Sequence, residues 1–281
     1  MPVCIAGMHR SGTSLMARLL NVSGLYLGTE QDMLPAGPTN PDGHWEHEGI
    51  VQVNEELLAE FGGGWDYPPD LTELLVESRI ARHVASARRH LNGFGGREPW
   101  GWKDPRNSLT LPFWQRLVGP MTVVVCVRNP LEVALSLRMR NGSTMAFGLA
   151  LWTAYTQAIL RATTPATRVV THYARYHGDP VAEVGRVAAR IGLTPTDEQI
   201  ERVRDAVRPD LRHSRFSFAD LLEVRASAVL CRIYRELCAE ADAPTQGGLD
   251  SPWTAPDAGS DPTEAPGRFD YAVMEQLRER R

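Results

Sequence analysis

Cysteine is scarce in this 281-residue chain, and none of its four copies has the spacing of a metal ligand. Cys4 and Cys126 lie in apolar, strand-like runs, and Cys231 and Cys238 stand seven apart on a predicted helix, so all four read as buried, reduced thiols. No metal site is expected. Long apolar runs are also missing. The longest, about Met145 to Leu160, is interrupted by Thr153, Tyr155, Thr156 and Gln157 and falls short of the ~20 apolar residues that a membrane span requires. The apolar run near Met1 has no basic segment before it and no small-residue cleavage site, so no signal peptide is expected. Basic charge is not in excess either. Lys and Arg number 30 against 34 Asp and Glu, a formal net charge of -4, which excludes a general nucleic-acid or anionic-membrane surface and leaves room only for a local basic site. With 43% hydrophobic and 23% charged residues, the expectation is a cytoplasmic globular protein with one large core.

What the chain does contain is an alternation of short β-like runs with longer helical patterns. Strands are predicted at Pro2 to Ala6, Pro99 to Lys103, Val123 to Val127 and Arg168 to Thr171. The third run is β-branched apart from Cys126, as a strand buried on both faces of a parallel sheet requires. Helical spacing is predicted over Ser11 to Leu20, then at about Glu48 to Phe61, Leu71 to Leu91, Asn107 to Leu117, Met145 to Ala162, Val181 to Ile191, Asp197 to Val207 and Phe218 to Glu240. Another helix opens at Asn129 and Pro130, where the missing proline N–H costs nothing. This alternation predicts an α/β fold of three layers, a central parallel sheet flanked by helices. Residues 1–241 form the expected domain. The remainder, 242–281, is rich in Pro and Gly up to Gly267 and then briefly amphipathic from Phe269 to Arg280, which reads as a loop or cover with a short terminal helix.

The segment Gly7, Met8, His9, Arg10, Ser11, Gly12, Thr13 and Ser14 stands between the first predicted strand and helix, where backbone N–H groups and the helix dipole make an anion site. Its outline is that of a nucleoside-triphosphate loop, except that Thr13 occupies the position of the required lysine. A neutral Thr cannot offset β- and γ-phosphate charge, so ATP or GTP hydrolysis is not expected. Arg10 with the hydroxyls of Ser11, Thr13 and Ser14 suits a phosphosulfate instead: donors around one phosphate, and a cation at the bridging oxygen where charge grows as the sulfuryl group leaves.

A second motif runs from Val123 through Arg128, Asn129 and Pro130 to Ser136. With the loop, it resembles the sulfotransferases that use 3′-phosphoadenosine 5′-phosphosulfate (PAPS), and more the Golgi-type and bacterial carbohydrate or tyrosine branch, whose loop reads like RSGTS or RSGTT. The resemblance covers roughly residues 2 to 240. It implies a P-loop-like fold, PAPS as co-substrate, 3′-phosphoadenosine 5′-phosphate (PAP) as product, no metal, and a small-molecule hydroxyl acceptor such as a sugar, glycolipid or secondary metabolite. It also implies that Arg128 and Ser136 hold the donor's 3′-phosphate, in keeping with the planar donor fork of a guanidinium and a hydroxyl two helical turns along. Val169 to Tyr173 followed by Gly178, Asp179 and Pro180 supports the fold alone. The Gly-rich, Trp-Lys segment of many cytosolic members has its nearest counterpart at Gly247 to Trp253, without the lysine, and the adenine contacts are not assigned.

Sulfuryl transfer needs a base for the acceptor proton and cations for the leaving phosphate. Asn40 to Glu48 packs five ionisable side chains into a loop ahead of a helix. The resemblance puts the base on Glu46, with His44 and His47 as rivals, while Glu46 and Glu48 also suit the positive end of the following helix. Lys103, in Lys-Asp-Pro, matches the lysine that stabilises the transferring group in the tyrosine-sulfating branch, and is expected across the sulfur from Glu46. Arg106 is placed along the same cleft, and Asp104 as the group that orients a cation. Trp45, Trp65, Tyr67 and Trp102 are candidate stacking surfaces for the acceptor, beside a mobile loop at Gly62 to Gly64. Two other readings stay open: a kinase-like phosphotransferase with Lys103 as a displaced lysine, and a catalytically silent nucleotide-binding protein. Acceptor identity and oligomeric state are left undetermined.

Overall fold

The computed structural model describes residues 1–37, 43–207 and 215–243. Four parallel strands make one sheet: β1 (Val3–Ala6), β2 (Gly101–Lys103), β3 (Thr122–Val127) and β4 (Arg168–His172), in the order β2-β1-β3-β4. Among the described residues the helices are α1 (Thr13–Val22), α2 (Glu48–Glu60), α3 (Glu77–Asn92), α4 (Asn107–Val118), α5 (Pro130–Asn141), α6 (Met145–Ala162), α7 (Tyr173–Gly178), α8 (Pro180–Ile191), α9 (Asp197–Ala206), α10 (Phe218–Glu223) and α11 (Ala228–Glu240). Every residue of β1 and β3 is buried, because helices cover both faces of the sheet. Strand alternation divides them between two cores. Cys4, Ala6, Val123, Val125 and Val127 join Trp102, Trp114, Trp152 and Tyr155 on one side. Val3, Ile5, Val124 and Cys126 meet Met16, Leu20, Val184 and Val203 from α1, α8 and α9 on the other. The four cysteines are free and buried, and burial raises their thiol pKa values. No described helix is long and apolar enough to cross a membrane.

Chain order places β2 on one side of β1 and β3 and β4 on the other. A parallel sheet with such a reversal opens a crevice beyond the carboxyl ends of its strands. Gly7–Gly12 after β1, Lys103–Arg106 at the end of β2, Arg128 after β3 and Tyr173 after β4 therefore reach the same edge.

Four of the differences from the sequence expectation have a plain local cause. The first helix starts at Thr13 because Gly12 is left-handed, at φ 85°. β2 starts at Gly101, since Pro99 has no N–H for a ladder, and Trp100 makes an isolated bridge with Tyr26. The helix expected from Leu71 begins at Glu77, after a turn closed by the bond from Leu74 N–H to the Leu71 carbonyl at 3.0 Å. The long pattern from Phe218 to Glu240 is two helices: Arg225 stands at φ 56°, and Ser227 caps the second by accepting from the Leu230 N–H. The loop and terminal helix expected beyond Ala243, including Gly247 to Trp253, lie outside the described residues.

Candidate active site

The loop after β1 is shaped by two glycines that no other residue could replace without moving neighbours. Gly7 has φ 146°, and a Cβ there would stand 2.4 Å from the Cys126 carbonyl oxygen. At Gly12 it would stand 2.4 Å from Tyr176 Oη and 2.5 Å from Tyr173 Cδ2. The loop is pinned from outside. Gly7 N–H donates to Ser108 Oγ at 3.0 Å, and Tyr176 Oη donates to the Ser11 carbonyl at 3.2 Å. Ser11 Oγ is buried and has no hydrogen-bond partner among the described residues.

Arg10, itself left-handed at φ 69°, donates from Nε to Ser136 Oγ at 2.8 Å, so the loop and α5 meet directly. Arg128 joins them, donating from Nη1 to the Arg10 carbonyl at 3.2 Å and from Nε to Glu132 at 2.7 Å. Its guanidinium carbon lies 4.2 Å from the Tyr173 ring centroid, a cation–π contact. Arg10, Arg128 and Ser136, 118 and 126 residues apart along the chain, thus form one cluster.

Lys103 is the only lysine in the chain. It pairs with Ile5 across the β2–β1 ladder, and its Nζ spends all three protons on Ser14 Oγ (2.9 Å), the His44 carbonyl (3.0 Å) and Glu46 Oε1 (2.5 Å). Lys103 is 2% exposed and Glu46 7%. Expected on opposite sides of the reacting sulfur, the two form a direct ion pair, because residues 43–47 ahead of α2 lie against the end of β2. The Glu46 carboxylate goes to Lys103, leaving Glu48 as the acidic residue in the first turn of α2. His44 contributes its carbonyl here, and burial holds its ring below the usual histidine pKa, against the pull of Glu46. The His47 ring packs on Phe94 and His90 at 5.4 and 5.7 Å, and burial lowers its pKa as well.

Asp104 is fully buried and accepts from Asn54 Nδ2 (2.8 Å), Arg106 N–H (2.9 Å) and Arg106 Nη1 (3.0 Å). Burial pushes its carboxyl up, with Arg106 opposing. Asn54 is a hub that sequence reasoning missed. It also donates to Asn107 Oδ1 at 2.8 Å and accepts from Thr110 Oγ1 and Trp114 Nε1 at 2.7 and 2.9 Å. The signal was a lone amide among Ile50, Val53, Leu57 and Leu58 on the core face of α2. Of the four aromatic candidates, Trp102 is in the core, stacked on Trp100 and tilted against Trp114, and Trp45 packs against the second core. Tyr67 is exposed. Trp65 stands beside His9, ring centroids 4.8 Å apart, with Tyr155 donating to its carbonyl at 2.7 Å. Among the described residues no group of His, Cys, Asp and Glu is placed to hold a metal ion.

A family model described as "Sulfotransferase family" matches residues 2–198. The fold is similar to that of the sulfotransferase STF9 from Mycobacterium avium, at 14% identity over 88% of this chain and 78% of that one, with a TM-score of 0.52. The sulfotransferase STF1 from Mycobacterium tuberculosis aligns at 17% identity over 73% of this chain and 71% of that one, with a TM-score of 0.43. No curated protein sequence matches significantly.

Proposed function

The chain belongs to the sulfotransferase family, and from that premise we propose that it transfers a sulfuryl group from PAPS to a hydroxyl of a small molecule, with Glu46 as the base. The acceptor class is a sugar, a glycolipid or a secondary metabolite. The observation that carries this reading is the Lys103–Glu46 pair at 2.5 Å, anchored to Ser14 at the mouth of the phosphate loop. A carboxylate, a cation and the loop after β1 meet at this pair, which supports reading them as base, counter-charge and anion cradle.

The chain's own groups suit the donor. Ser11 Oγ is a buried hydroxyl in need of an acceptor, as a phosphate oxygen is. In this reading Arg10 stabilises the bridging oxygen as its charge grows, and Arg128 with Ser136 holds the 3′-phosphate. During transfer the S–O bond to the acceptor forms as the S–O bond to the phosphate breaks, and the acceptor proton passes to Glu46. This requires Lys103 to turn one N–H from Glu46 to a sulfonate oxygen. Ser14 and the His44 carbonyl keep the ammonium in place while Glu46 becomes available to the acceptor.

The test is ligand-dependent stability. PAP at 100 times its dissociation constant should stabilise the native state by about 2.7 kcal/mol. A thermal shift with ATP and magnesium but none with PAP would replace the proposal with the phosphotransferase alternative. Labelled PAPS with a panel of hydroxyl acceptors then measures transfer itself.

A further inference from the structure

The cations at this edge of the sheet exceed what the donor and the base require. Glu46 is taken by Lys103, while Asp104 and Glu55 are taken by Arg106. Arg140, on the last turn of α5, has no carboxylate partner among the described residues; its Nε donates to Asn141 Oδ1 at 2.5 Å. Its guanidinium carbon stands 5.2 Å from the Trp65 ring centroid, and the His9 ring packs on the same Trp65 at 4.8 Å. Two buried polar atoms in this neighbourhood have no partner among the described residues: His9 Nε2 and Arg106 Nε. His9 is 9% exposed, and native structures rarely leave such an atom unsatisfied without a ligand or water to complete it.

We propose that the acceptor carries an anionic group, a carboxylate or a phosphate, and that Arg140, Arg106 and His9 hold this group against Trp65. The proposal rests on the sulfuryl-transfer reading and names the acceptor's chemical class within it. Charge supports the location. Burial first, then Arg106, Arg140, Lys103 and Arg10, hold the His9 pKa well below the usual range, so the ring sits on the basic side of the cleft. Burial lowers the Arg140 pKa and the Glu46 carboxylate opposes it, so Arg140 lies within electrostatic reach of Glu46. Neutral His9 is then a hydrogen-bonding wall, Arg140 the counter-charge, and Trp65 an apolar floor.

The test uses PAP-saturated protein and three matched pairs by calorimetry: 4-hydroxyphenylacetate with its amide, glucuronate with glucose, and glucose 6-phosphate with glucose. At least one acid should bind about tenfold or more tightly than its neutral partner, as one charge-assisted contact provides. Whichever pair responds tells carboxylate from phosphate. Arg140→Gln, at an exposed position that should leave folding intact, should abolish the preference without changing PAP affinity. Equal binding across all pairs at millimolar concentration would overturn the proposal. So would an Arg140→Gln loss of PAP affinity as large as its loss of acid affinity, because the arginine would then serve the donor. Failure of PAP itself to bind is a separate result, which removes the sulfuryl-transfer reading and this subsite together.

Discussion

Arg128 offers the sharpest separation of donor recognition from architecture, because two of its three nitrogens are already committed within the protein. Nε is bonded to Glu132 and Nη1 to the Arg10 carbonyl, which among the described residues leaves Nη2 for a ligand. A charge-assisted hydrogen bond to a phosphate contributes about 1.5–3 kcal/mol, or roughly 10- to 150-fold in affinity. Losing the bond to Arg10 relaxes the 5′ loop by about 0.5–1.5 kcal/mol, and that loss weakens every ligand of the loop alike. The quantity to measure is therefore a difference. PAP has the 3′-phosphate and adenosine 5′-phosphate lacks it, so removing Arg128 should close the affinity gap between them by about 10- to 150-fold. Arg128→Ala alone strands Glu132, which is 1% exposed, and removing one member of a buried pair costs about 3–5 kcal/mol. The paired change Arg128→Ala with Glu132→Gln removes both charges, and the new amide can still accept from the Phe216 N–H, now 3.2 Å from Glu132. Calorimetric titration of both ligands into this double variant is the assay. If PAP and adenosine 5′-phosphate lose affinity by the same factor, Arg128 is a structural residue and its assignment to the 3′-phosphate is refuted.

Glu46→Gln keeps shape and hydrogen bonding without basicity, so turnover should drop on the order of 10²-fold or more while PAP affinity hardly changes. Lys103→Ala should lower both turnover and donor affinity, since positive charge leaves the transferring group. An active Glu46→Gln beside a dead His44→Ala or His47→Ala would move the base to an imidazole. Ser11→Ala removes an unpartnered buried hydroxyl, so urea unfolding should show equal or slightly higher stability, whereas PAP should bind about 2- to 12-fold more weakly. A clear loss of stability would show that the hydroxyl is bonded in the native state. His9 has a folded-state pKa well below its unfolded value of about 6.5, chiefly through burial. As pH falls below 6.5 the unfolded chain takes up the proton and the folded chain does not, so stability is full above that pH and declines beneath it. Burial lowers His44, His47 and His83 too, and they share this slope; His9→Gln should flatten it by up to about 1.4 kcal/mol per pH unit. Identical slopes in the two proteins would contradict the assignment.

Local pattern determined much of this protein. The β-branched run at Val123–Val127, the loop from Gly7 to Ser14 and the helical spacing of Met145–Ala162 each carry their structure in their own period or turn residues, which is why strands, helices and the glycine turn after β1 were legible without coordinates. The Arg128–Ser136 spacing was legible for the same reason, since both lie at the end of one strand and on the helix that follows it. A single lysine in a chain with 30 Lys and Arg was a further signal, readable from composition alone. Tertiary structure decided which of these side chains touch. Lys103 and Glu46 are 57 residues apart, Asn54 and Asp104 are 50, and Arg140 of α5 meets Trp65 of the segment between α2 and α3. None of those contacts has a period. They follow from the parallel register that sets Lys103 beside Ile5 and from the path of residues 43–47 ahead of α2, and both depend on how two cores pack on opposite faces of one sheet.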